Sequence, residues 1–171
     1  CQINYIAKAA HSQFSLMSSQ VSLEDALNDP KLTADQKRKI QLAKKAREFA
    51  ENDLALKPTK NYTKFVSLDR PYVTYVVNAA PKWKLETYKW RYPIIGAMPY
   101  KGFFNETDAK VEEAELQKKD LDTYMRGVSA YSTLGWFKDP ILSSMLRYKD
   151  YDLVNTIIHE TVHATLFIKH E

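Results

Sequence analysis

Asp152-Leu153-Val154-Asn155-Thr156-Ile157-Ile158-His159-Glu160-Thr161-Val162-His163 is the stretch on which the reading of this chain turns. Val154, Ile157, Ile158, Thr161, Ala164, Thr165 and Ile168 recur at helical spacing, while Asp152 and Asn155 share the other face with the two histidines. The pattern predicts a helix that starts near Asp150 or Asp152, with one side against a core and the other open to a polar cleft. On such a helix His159 and His163 are separated by about 40° of rotation and about 6 Å of rise. Both imidazoles can then direct a ring nitrogen at one ion about 2.0–2.1 Å away, a spacing that suits zinc. Glu160 sits beside the pair but off the metal axis. There its carboxylate can act as general base on a zinc-bound water, which would attack a carbonyl. The plain alternative is a pair of surface histidines on an amphipathic helix.

A zinc hydrolase site takes three protein ligands and keeps one position open. The longer motif that finds its third ligand on the same segment needs Gly and His where this chain has Thr165 and Lys169. His170 shares the face but lies about 10 Å of helix rise beyond His163, too far to share one ion. His11, Glu106 and Glu113 are other sources, and nothing in their spacing points to the site. The remaining option is a carboxylate ligand beyond Glu171.

Working outward, Asp139-Pro140 reads as the N-cap and first residue of a short helix to about Leu146. Asp139 has a second reading as the carboxylate that steadies a ligand histidine. Residues 62–133 are rich in Tyr, Val, Trp and Phe and contain or adjoin all 4 glycines, a sheet and turn composition. Strands are expected at Val73–Asn78, Leu85–Trp90, Ile94–Tyr100 and Asp122–Ser132, interrupted by one helix that Asn105 begins. Residues 1–56 read as a helical hairpin. Its first helix carries the stripe Ile3, Ala7, Ala10, Phe14, Met17 and Val21; its second starts at a Thr33/Gln36 capping box and ends near Leu54. The lysines and arginines of that second helix, Lys37 to Arg47, read as a solvated face around Ile40, Ala43, Ala46 and Phe49.

The net charge of +4, from 25 basic and 21 acidic residues, lacks the dense basic stripe of a nucleic-acid binder, and nucleic acid is excluded as a partner. No apolar run approaches the length of a transmembrane helix. Cys1 is the single cysteine, so neither an internal disulfide nor a cysteine zinc site can form. A chain beginning at cysteine is what cleavage of a bacterial lipoprotein precursor leaves, or else a proteolytic boundary.

The run Val128-Ser129-Ala130-Tyr131-Ser132-Thr133-Leu134-Gly135-Trp136-Phe137-Lys138-Asp139-Pro140, followed by Ile158-His159-Glu160-Thr161-Val162-His163, resembles the signature of a bacterial family described as putative aminopeptidases. Arg47-Glu48-Phe49-Ala50, Asp69-Arg70, Asn78-Ala79-Ala80-Pro81, Pro93-Ile94-Ile95-Gly96 and Tyr100-Lys101-Gly102-Phe103-Phe104 extend the resemblance over most of the chain. It implies an α+β, zincin-like metallopeptidase domain of the gluzincin type spanning 1–171, with helical hairpin (1–56), mixed sheet (62–133) and HExxH helix (150–171). His159 and His163 are then zinc ligands, Glu160 the general base, and an Asn-Glu segment further on the source of the third ligand. The resemblance also implies lipidation of Cys1 and a lipid-anchored place in the bacterial cell envelope, on the periplasmic side. In zincin-type peptidases an edge strand pairs with extended substrate. Gly127–Thr133 is the candidate here, with Tyr131 facing the cleft, or Tyr131, Trp136 and Phe137 are core aromatics. The competing function is a lipid-anchored binding or assembly module whose HExxH is vestigial; a third is a zinc hydrolase of some other amide.

Overall fold

The structure, a computed structural model, describes residues 2–92, 96–130 and 138–165. Cys1, Tyr131, Trp136, Phe137, Ile168, His170 and the first residues of the strand expected over 94–100 lie outside them. In chain order the elements are α1 (Gln2–Ser18), β1 (Val21–Ser22), α2 (Leu23–Asn28), α3 (Ala34–Asn52), β2 (Lys64–Val66), β3 (Thr74–Pro81), β4 (Trp90–Tyr92), β5 (Gly96–Met98), β6 (Lys101–Phe103), α4 (Glu106–Gln117), β7 (Leu121–Val128), β8 (Ile141–Leu142), a 3-10 turn (Met145–Arg147) and α5 (Asp150–Thr165). The class is α+β. The chain groups into two compact units, residues 1–15 with 70–129 and 16–69 with 130–171. Of the helices expected over 1–56, α1 through Ser15 belongs to the first unit and α3 to the second.

The first unit is built on an antiparallel sheet in the order β6-β3-β7, with β3 and β7 paired from Thr74↔Val128 to Pro81↔Leu121. Alternation along β3 turns Tyr75, Val77 and Ala79 into a core that also takes Trp90, Phe103, Ala109 and Leu116. Helix α4 starts where the sequence placed it: the Asn105 side chain accepts from the backbone N–H groups of Thr107 (2.8 Å) and Asp108 (3.4 Å). Gly127 is needed because a Cβ there would run into the ring of Tyr72. Three strand expectations change. Leu85–Trp90 is a loop that enters a strand only at Trp90, β5 ends at Met98, short of Tyr100, and β7 ends at Val128, before Ser129 and Ala130. On α1 the expected stripe is turned away: Ala7, Ala10 and Phe14 are exposed, and Tyr5, Ala9 and Ser12 face inward. The Tyr5 ring lies 5.5 Å from Phe103 and 6.0 Å from Tyr92, and its hydroxyl donates to the Gly102 carbonyl at 2.7 Å. Two ring contacts, the one with Phe103 edge-on, plus a satisfied hydroxyl outweigh the small area that Ala7 and Ala10 could bury.

The second unit holds α3, α5 and the small mixed sheet β1-β2-β8. The Thr33/Gln36 capping box is present in full. Ile40, Ala43, Ala46 and Ala50 form the buried face of α3, and the three small alanines let α5 approach closely; Phe49 is left exposed. Not all of the basic face is solvated. Lys39 reaches the carbonyls of Leu146 (3.0 Å) and Tyr148 (2.7 Å), and Arg47 pairs with Glu51 at 2.9 Å.

No helix follows Asp139, and Asp139 is not an N-cap. Ile141 and Leu142 form β8, parallel to Phe65 and Val66 of β2. Further bonds extend the pairing on both sides: Asp139 N–H to Asn61 Oδ1 (3.1 Å), Tyr62 N–H to the Asp139 carbonyl (2.6 Å), Ser143 N–H to the Val66 carbonyl (3.0 Å), and Leu68 N–H to Ser143 Oγ (2.8 Å). With Ile141 and Leu142 both buried, this ladder overrides the local Asp-Pro signal.

Candidate active site

Helix α5 forms because its apolar residues have a core to enter. Leu153, Ile157 and Thr161 are buried at intervals of four, and full burial of each aliphatic side chain is worth about 1.5–3 kcal/mol. The Thr161 hydroxyl donates to the Ile157 carbonyl at 2.7 Å, so a buried polar atom is satisfied within the helix. Near the end of the helix the Thr165 side chain accepts from Lys57 N–H at 2.9 Å. These contacts fix the rotation of the helix. Asp152, Asn155, His159 and His163 consequently face out and are exposed, as the spacing predicted, and Glu160 is half-buried.

The two imidazoles meet edge to face, with ring centroids 4.5 Å apart and planes at 86°, and their Nε2 atoms lie 2.9 Å from one another. At that distance one ring donates to the other. Two nitrogens on one tetrahedral zinc are about 3.3 Å apart, so a few tenths of an ångström of opening would convert the contact into a bite. The donor set and its direction fit two ligands of such an ion. Among the described residues no group of three or more His, Cys, Asp or Glu side chains is placed to hold a metal. The three upstream alternatives all belong to the first unit; Glu106 pairs there with Lys110 at 2.7 Å, and Glu113 accepts from Thr123 at 3.2 Å.

Sequence reasoning missed Tyr62. Its side chain is buried, and its backbone is left-handed at φ +57°, uncommon for a bulky residue. Burial, and after it the negative charges of Glu160 and Asp139, push the phenol above its ordinary value. Asp139 is itself buried, and its backbone is bonded to Asn61 and Tyr62. No spacing could have flagged Tyr62, which is far from Glu160 in the chain. A separate cavity of about 440 Å³ in the first unit is lined by Tyr5, Lys8, Lys101, Asp108 and Glu112 among others. Four of its charges are paired with one another, Lys8 with Asp108 at 3.1 Å and Lys101 with Glu112 at 2.7 Å.

A family model described as "Putative aminopeptidase" matches residues 4–171. The chain belongs to this family. The description points to a peptidase, acting on peptide substrates, and the aminopeptidase-family match takes in the whole of α5 and the Asp139 segment. Searches of curated proteins and of solved structures found no match.

Proposed function

We propose that this aminopeptidase-family chain carries part of a zincin-like zinc peptidase site, with His159 and His163 as ligands, Glu160 as general base and the third ligand contributed from beyond Glu171. The observation that carries this reading is the convergence of the two Nε2 atoms to 2.9 Å on the exposed face of α5. Zinc, when bound, would supply a Lewis acid and lower the pKa of a water. For both Nε2 lone pairs to serve as donors, each ring must keep its proton on Nδ1. Glu160, one residue along and about 100° around the helix from His159, would take a proton from the attacking water and return one to the leaving amine. Asp139 is proposed to steady a ligand histidine, and Tyr131 to face the substrate.

The test is metal analysis and peptide hydrolysis with the full-length protein. Near one equivalent of zinc is expected, lost on His163→Ala. Glu160→Gln should keep the zinc and lose about 10²–10⁴-fold in turnover. A metal-free full-length protein would overturn the reading, and unchanged turnover in Glu160→Gln would remove that residue from the mechanism. We further propose, on the family resemblance, that Cys1 is lipidated and holds the protein at the cell envelope. Mass spectrometry of the N-terminal peptide from native membranes tests this, and an unmodified Cys1 would refute it.

A further inference from the structure

The loop between β3 and β4 exposes more apolar surface than its length explains. Its base is fixed: Tyr88 N–H donates to the Ala79 carbonyl at 2.8 Å, and the Tyr88 ring meets the buried Trp90 edge to face at 5.0 Å. From that base the chain turns back through a bond from Lys84 N–H to the Pro81 carbonyl at 3.3 Å. Trp83 occupies the third position of this turn at φ +62°, where glycine is the favoured residue. The indole is 99% exposed and Leu85 is fully exposed. A large aromatic is therefore held in an unfavourable backbone conformation with nothing in its own unit to cover it.

Three lysines, Lys82, Lys84 and Lys89, flank these two side chains, against one glutamate, Glu86. Lys82 is ion-paired with Asp120; Lys84 and Lys89 have no ion-pair partner among the described residues. Lysine is depleted at protein–protein interfaces, whereas tryptophan with lysine is the pairing that settles at the headgroup level of a bilayer, the indole in the interface and the ammonium on anionic lipid. Among the described residues no helix is long and apolar enough to cross a membrane, so insertion would be superficial. We infer that Trp83 and Leu85, with Lys84 and Lys89, form a contact that seats the first unit on an anionic membrane surface. The contact needs neither a lipid on Cys1 nor a metal at α5.

The experiment uses the Cys1→Ser chain, which cannot be lipidated, and sedimentation with vesicles of mixed phosphatidylglycerol and phosphatidylcholine. Binding is expected at low salt, weaker at high salt and weaker on phosphatidylcholine alone. Trp83→Gly with Leu85→Ser should lower the partition coefficient about tenfold or more. Trp83→Gly by itself should leave the thermal midpoint unchanged or raise it, because glycine suits φ +62°. The pair Lys84→Glu and Lys89→Glu alters only exposed side chains and should weaken binding to anionic vesicles several-fold. Absence of vesicle binding at low salt would overturn the inference, as would equal binding by both sets of variants. A self-association that disappears with Trp83, with vesicle binding unchanged, would overturn it in favour of a protein contact.

Discussion

Helix α5 buries Leu153, Ile157 and Thr161 and leaves two histidines in the open, whereas α1 half-buries Tyr5, Ala9 and Ser12 and leaves Phe14 73% exposed. The two helices are held by different means. Side chains that can only be placed in a core set the rotation of α5, and that rotation aims His159 and His163 outward together. On α1 a tyrosine with two ring neighbours and one hydrogen bond sets the inward face, and a phenylalanine is left in water. On α1 the inward face thus runs through Tyr5 and the buried Leu16, whereas on α5 it follows Leu153 and Ile157.

Substitutions can break this contrast. Ile157→Ala should cost about 2–5 kcal/mol in chemical denaturation, because it opens a cavity under the histidine face. A loss below about 1 kcal/mol would mean that α5 is not anchored there. Tyr5→Phe keeps the ring contacts and deletes the bond to the Gly102 carbonyl, for an expected loss of about 1 kcal/mol. A smaller, pH-dependent effect belongs to Arg38, which bridges Asp35 at 2.8 Å and Asp150, the first residue of α5, at 2.6 Å. Hydrogen bonds from Arg38 hold both carboxyls below their ordinary values. Depressed carboxyl values give stability that is present above the unfolded value, near about 3.9, and lost as pH falls through the folded ones. The advantage of the wild type over Arg38→Ala should therefore be constant at neutral pH and close below about pH 4, as acid titration of both would show. Phe14→Ala should change stability least, within about 0.5 kcal/mol, since its ring is mostly in water. A cost of several kcal/mol there would restore the stripe expected from spacing.

The site was legible in proportion to how local its geometry is. His159, Glu160 and His163 are fixed relative to one another by helix geometry alone, so their placement follows from the spelling HExxH. Capping at Thr33 and Asn105 was equally legible, since each side chain bonds an amide two or three residues ahead. The local Asp-Pro signal puts Asp139 on the wrong kind of element because its backbone partners, Asn61 and Tyr62, are distant in sequence. Tyr62 escaped notice for the same reason.

The sequence by itself determined the α+β class, the membership that residues 4–171 support, and which face of α5 presents the histidines, because helical periodicity and caps are properties of neighbours along the chain. Tertiary structure alone decided that Ile141-Leu142 is a strand, that Tyr5 rather than Phe14 faces inward, that Trp83 stands in solvent, and that Tyr62 is buried. Each of these depends on what a distant segment offers as a hydrogen-bond partner, a ring or a shield from water, and no local pattern encodes that.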